Sequence, residues 1–368
     1  MKIKTVRHYI LRDYRGAVGA DMTGAVSGMD RNMFENYVAF VSLLYHPREE
    51  RLYCGLTAYN SNILAKFNPR TKQFEEFDYR PVAEPFEVKV HRSLELASDG
   101  TIYGATACLH GLDKRREAPG GALFKIRPGA KVPEKFAVPT PPDYIQTITL
   151  DEKRKLIYGL TYPVFNFFVY HLDTGEVENY GYMGSITHIS AIDDAGCFWS
   201  TWDVVNHNLF KYDPTTRKIT YFTHGLPGGR KESNMMYPGA GPVDCMINGG
   251  DGYLYIGTTG GSLCRLNPKT AEVTYLGKPS PATRMPGLLV WHDSLLLGTM
   301  GDDHASCLFA YDRETGAFTH LGDIVDSQTR LPLYRTHDLR LAGRDLAYVA
   351  ETDTPGRSSY LWECEIEM

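Results

Sequence analysis

Along this chain apolar and polar residues alternate with a period of two, in runs of four to eight residues broken by Gly, Pro, Asn, Asp and Thr. The stretch CFWSTWDVVNHNLFKYDPTTRKITYFTH, from Cys197 to His224, shows the unit most plainly. CFWSTW is aromatic and β-branched, NLFKYD alternates, DPTTRK carries tight-turn chemistry, and KITYFTH alternates again. The same phrase recurs with different residues. Its turns stand at FNPRTKQF, IRPGAKVP, LDTGEVEN, YDPTTRKI, LNPKTAEV and YDRETGAF, at spacings of roughly 40 to 60 residues, the range of a four-stranded propeller blade. Strands such as GALFKI and NFFVYHL precede the turns, and runs such as LYCGLTA, IYGATA and LLLGTM precede those strands.

This pattern predicts an all-β fold, a seven-bladed β-propeller of four-stranded antiparallel blades, with residues 1–368 forming a single domain. Six blades are complete in sequence order. The seventh starts at YRTHDLRLAG, continues through LAYVAETD and SSYLWECEIE, and lacks its fourth strand. The N-terminal KIKTVRHYIL resembles the outer strands, so it is expected to fill that place and close the ring, leaving no bare edge. Turns after the first and third strands are short. Those after the second and fourth are long, among them Cys108–Gly121, Asp78–Val88, Thr223–Gly241, Gly277–Pro286 and Gly322–Arg335. Both long sets open on one face around the channel, where binding is expected.

Composition narrows the classes. A net charge of -5 gives no general pull toward nucleic acid, and no apolar run approaches the ~20 residues of a membrane span. Neither nucleic acid nor membrane is therefore an expected partner. The N-terminus has no apolar signal region, so a cytoplasmic setting is expected, with an export signal lost from the N-terminus as the alternative. Seven scattered cysteines without a CxxC pair suit buried free thiols in a reducing compartment. No phosphate loop, dinucleotide glycine motif, HExxH or GxSxG is present.

Candidate chemistry therefore comes from the starts of the innermost strands. Blade two begins with Val90-His91-Arg92, blade three with Tyr144-Ile145-Gln146 and blade four with Thr187-His188. Blade five offers Asp244, Arg284 precedes blade six, and Tyr334-Arg335-Thr336-His337-Asp338 opens blade seven. His, Arg, Tyr and Gln around one mouth suit an acidic, hydroxyl-rich ligand, so an acidic oligosaccharide or glycoside is the expected partner. Tyr237, Tyr162, Trp202 and Trp291 are candidates to stack on sugar. Such a set can support β-elimination from a uronic acid. Arg335 or Arg284 would neutralise the carboxylate, and His91 would serve as acid or base with help from a Tyr. The alternative for His91 is a channel histidine satisfied by a backbone carbonyl. His337-Asp338 reads either as a second acid–base pair or as a tie between blades, and His188 is equally ambiguous. His207 and His304 are rim candidates. Lys114-Arg115-Arg116 reads as a solvated loop or a steering patch. No cofactor is required, and a divalent cation such as calcium in the channel, or on Asp302 and Asp303, is the one to test.

Two stretches, His91–Ala107 and Tyr334–Glu365, resemble the propeller polysaccharide lyases, a group that includes ulvan lyases and rhamnose–glucuronate lyases. The turn and Y/L-G-x-T strands more generally resemble seven-bladed propellers such as the streptogramin B lyase type. The resemblance implies uronate elimination, with His91 as acid/base and Arg335 on the carboxylate. It implies, by blade position only, that Tyr144, His188, Tyr237 and Arg284 face the pocket; Gln146 and His337 are substrate-binding candidates on the residues alone. A carbon–oxygen lyase is thus the leading expectation. A non-catalytic binding propeller and a propeller glycoside hydrolase are the alternatives.

Overall fold

The computed structural model describes residues 1–16, 37–59, 62–75, 77–84, 86–109, 112–185, 187–226, 242–303 and 305–368. Tyr237 and His304 lie outside the described residues, as does most of the loop Thr223–Gly241.

The described chain forms seven four-stranded antiparallel sheets in sequence order. Their innermost strands are β2 (Val38–His46), β6 (Leu94–Leu96), β10 (Tyr144–Asp151), β14 (Ala191–Ile192), β18 (Val243–Asn248), β22 (Gly287–Trp291) and β26 (Thr336–Leu341). Blade seven continues through β27 (Leu346–Glu351) and β28 (Leu361–Glu367), and its outermost strand is β1 (Lys2–Tyr9). Lys2 pairs with Glu367 and Tyr9 with Leu361, so the expected closure is observed.

Repeated local chemistry builds each blade. In the turns after the third strands an Asn or Asp side chain accepts backbone N–H groups two or three residues on. Asn68 takes Arg70 and Thr71, Asp213 takes Thr215, Asn267 takes Lys269, and Asp312 takes Glu314 and Thr315. In the second strands, glycine is needed for space. A Cβ on Gly159 or Gly298 would run into the ring of Phe168 or Phe309 on the neighbouring strand. Between blades the core is largely aromatic. Phe167 and Phe198, from blades three and four, stack at 5.2 Å and 8°, and both are buried. Each such burial contributes about 1.5–3 kcal/mol. All seven cysteines are free thiols.

One irregularity recurs and positions the site. In four innermost strands the register with the next strand skips one residue near the start. The skipped residues are Val41, Gln146, Asp244 and His337. Each is the unpaired residue of a β-bulge, which re-aims its side chain or carbonyl. In the other three blades the equivalent place is an irregular segment before the strand, holding His91-Arg92, His188 and Arg284. Arg92 and Arg284 both have left-handed backbone, with φ 46° and 63°.

Candidate functional site

A polar plug fills the channel and joins all seven blades. Arg92, from blade two, donates Nη1–H to Pro286 O of blade six at 2.7 Å and Nε–H to His337 Nδ1 of blade seven at 3.0 Å. His91 reaches Gln146 O of blade three at 2.9 Å and His337 Nε2 at 3.3 Å. Arg284, at blade six, grips Asp244 of blade five with two bonds of 3.1 and 2.9 Å. His188 of blade four lies 3.2 Å from the same carboxylate. Asp338 accepts Leu43 N–H of blade one at 2.7 Å, tying the last blade to the first.

These contacts fix the protonation pattern. A backbone carbonyl only accepts, so His91 Nδ1 must donate to Gln146 O, and neutral His91 then accepts at Nε2. His337 must therefore donate from Nε2, which leaves its Nδ1 to accept from Arg92. The result is a one-way chain, Arg92 to His337 to His91 to Gln146 O. The 3.0 Å approach of His337 Nδ1 to Val41 O then carries no hydrogen bond. Protonating either imidazole would set N–H against N–H. Burial pushes both pKa values well below 6.5, and nearby Lys89 and Arg92 push the same way. Burial likewise lowers His188, against the pull of Asp244. Burial disfavours the Asp244 charge, yet Arg284 and His188 hold its pKa far below the usual carboxylate range.

Above the plug lies a more open mouth. Arg335 is partly exposed, at 23% of its side chain. Its Nε–H donates to Asp303 at 2.9 Å, and its Nη1 lies 3.4 Å from Asp353. Tyr334 stands beside it, 5.5 Å from ring centre to guanidinium carbon. Burial, with Asp303 adding to it, raises the Tyr334 pKa and keeps the phenol protonated. Lys89 is half-buried. Enclosure lowers its pKa to about 8, with Arg92 and Arg284 pushing the same way and Asp353 and Cys108 opposing. Among the described residues it forms no ion pair.

The expected residues thus fall into separate groups. His91, Gln146, His188, Arg284 and His337 meet in the plug, and Arg335 stands at the mouth. Tyr144 is fully buried in an apolar cluster with Cys108 and Ala118, against which Tyr162 packs. Trp202 turns outward, with Nε1–H donating to Phe222 O at 3.1 Å and its ring 5.0 Å from that of Tyr221 on the outer strand. Trp291 ends β22 at the far end of the channel and donates to Arg344 O at 2.9 Å. His207 is buried against Ser185. The basic cluster is a short 3-10 turn in which Arg115 holds Asp143 and Lys114 holds Glu117. Sequence reasoning missed Lys89, although a period-two reading of KVHR puts it on the same face as His91.

The donors do not fit a hard cation. Among the described residues no three His, Cys, Asp or Glu side chains gather as metal ligands. Asp302 already holds Thr283 and Asp303 holds Arg335. No described helix is long and apolar enough to cross a membrane.

Comparison with known proteins adds the fold's relatives. No family model and no curated protein matches the chain. A catalytically inactive virginiamycin B lyase from Staphylococcus aureus, solved with quinupristin, aligns over 99% of both chains with TM-score 0.64 and 12% identity. The extracellular domain of BT4673 from B. thetaiotaomicron aligns over 97% of this chain and 43% of its own, with TM-score 0.59 and 14% identity. The likeness is one of fold. The neighbour that is a lyase is distant, and no family model or curated relative confirms a polysaccharide lyase family.

Proposed function

We propose that this protein is a carbon–oxygen lyase that opens a uronate-containing oligosaccharide or glycoside by β-elimination at the channel mouth. The observation that carries the reading is the mouth itself. A guanidinium held by Asp303 and Asp353, Arg335, and an amine with a pKa of about 8 that feels the charge of the same Asp353, Lys89, supply the two groups that elimination needs. Arg335 would neutralise the uronate carboxylate and make the C5 proton acidic. Lys89, rather than the locked His91, would take that proton. The C5–H electrons form the C4=C5 bond, the C4–O bond breaks, and Tyr334 protonates the departing oxygen. A neighbour on a similar scaffold, virginiamycin B lyase, is itself a lyase, which supports reading this fold as one that can carry lyase chemistry. Gln146, His188, Arg284 and His337 then hold the wall beneath the ligand.

The test is incubation with a panel of uronate oligosaccharides, read by the ultraviolet absorbance of the unsaturated product. Absorbance that appears with wild type and vanishes in Lys89→Met and Arg335→Met is expected. Folded protein that binds uronates without product would be a binding propeller, and a saturated product would mark a hydrolase. Either result overturns the elimination.

A further inference from the structure

Two guanidinium groups in the plug are only partly satisfied. The Arg92 side chain is 0% exposed and that of Arg284 is 6% exposed. Nevertheless Arg92 Nη2 and Arg284 Nη1 have no hydrogen-bond partner. Both are set on left-handed backbone immediately before innermost strands, and both converge on blade six. Arg92 crosses the channel to Pro286 O, two residues beyond Arg284. The carboxylates nearby are already engaged. Asp244 is held by Arg284 and His188. Asp338 accepts Leu43, Leu339 and Arg340 donors and lies 3.8 Å from Arg92. Lys89 adds a cation above. A buried N–H left unpaired costs about 1–3 kcal/mol, and like charges this close add repulsion.

We propose that the central channel holds a small monovalent anion, of the chloride class, between Arg92 Nη2 and Arg284 Nη1. The anion accepts both orphan N–H groups and offsets the excess positive charge. Arg92 and Arg284 lie close enough for the charge of one to act on the other, and both belong to the plug, so this site is separate from the mouth and independent of the elimination reading.

Bromide soaked into crystals of the wild-type protein should give an anomalous peak in contact with both nitrogens. In solution the melting midpoint should rise with chloride by about 2 °C per tenfold concentration. Gluconate at equal ionic strength should produce no such rise. Arg284→Gln should lose the chloride response. Water without anomalous signal at that position, or equal response to chloride and gluconate, overturns the proposal. Should Arg284→Gln fail to fold, the wild-type bromide map decides alone.

Discussion

The plug and the mouth are made of the same residue types and behave in opposite ways. In the plug, arginines, histidines and aspartates are buried and hold one another in a single protonation pattern, so the cluster works as a hub binding seven blades. At the mouth an arginine, a lysine and two aspartates retain solvent access, and among the described residues the lysine forms no ion pair. Residue type therefore does not by itself mark the place proposed to react. What marks it is a titratable group whose partners have not saturated it.

That contrast can be broken in several ways. The largest effect expected is on turnover. Lys89→Met should lower the elimination rate by roughly 10²–10⁴ while leaving the melting midpoint unchanged or slightly higher, measured by steady-state kinetics and calorimetry. Asp244→Asn should do the reverse in kind. It strands Arg284 as a buried charge and should cost about 3–5 kcal/mol of stability by denaturant titration. His337→Gln interrupts the one-way chain and should cost about 1–3 kcal/mol with little change in KM. A plug variant that alters turnover without altering stability would dissolve the distinction.

Two pH dependences sharpen it. The Lys89 amine must be neutral to act as base, so kcat/KM should rise through about pH 8, and this limb should disappear in Lys89→Met. Because the folded pKa of Lys89 lies below the ordinary lysine value, the folded state binds fewer protons there. Its contribution to stability therefore increases as pH rises from about 8 toward about 10.4. Asp244 has the same sign of slope in an acid window. Its folded pKa is depressed, so its stabilisation is present above the unfolded value near 3.9 and fades as pH falls toward the folded value. Acid unfolding of wild type and Asp244→Asn should converge at low pH.

The blades were legible because alternation, Asx turns and the Gly-x-Thr strands repeat, and because KIKTVRHYIL has the pattern of the outer strands it joins. The plug was legible in part. His91, His188, Arg284 and His337 could be gathered from their positions before innermost strands. Bulges were not visible, since an extra residue leaves no mark on composition, and they decide that Gln146 and Asp244 face the channel. Nor could sequence show that His91 is spoken for at both nitrogens. Tyr144 and Trp202 misled for a related reason. Aromatic residues near a loop satisfy a wall between blades as readily as a sugar face. Lys89 was obscured because the reading of blade two began one residue too late.

Closure by β1 has a consequence for biosynthesis. Lys2–Tyr9 is synthesised long before its partner, Leu361–Glu367. Until β28 emerges β1 has nothing to pair with, and the incomplete ring shows two open flanks. Nascent chains of this protein are thus most prone to stick to one another just before β28 emerges, and a chaperone that shields β1 would protect them best.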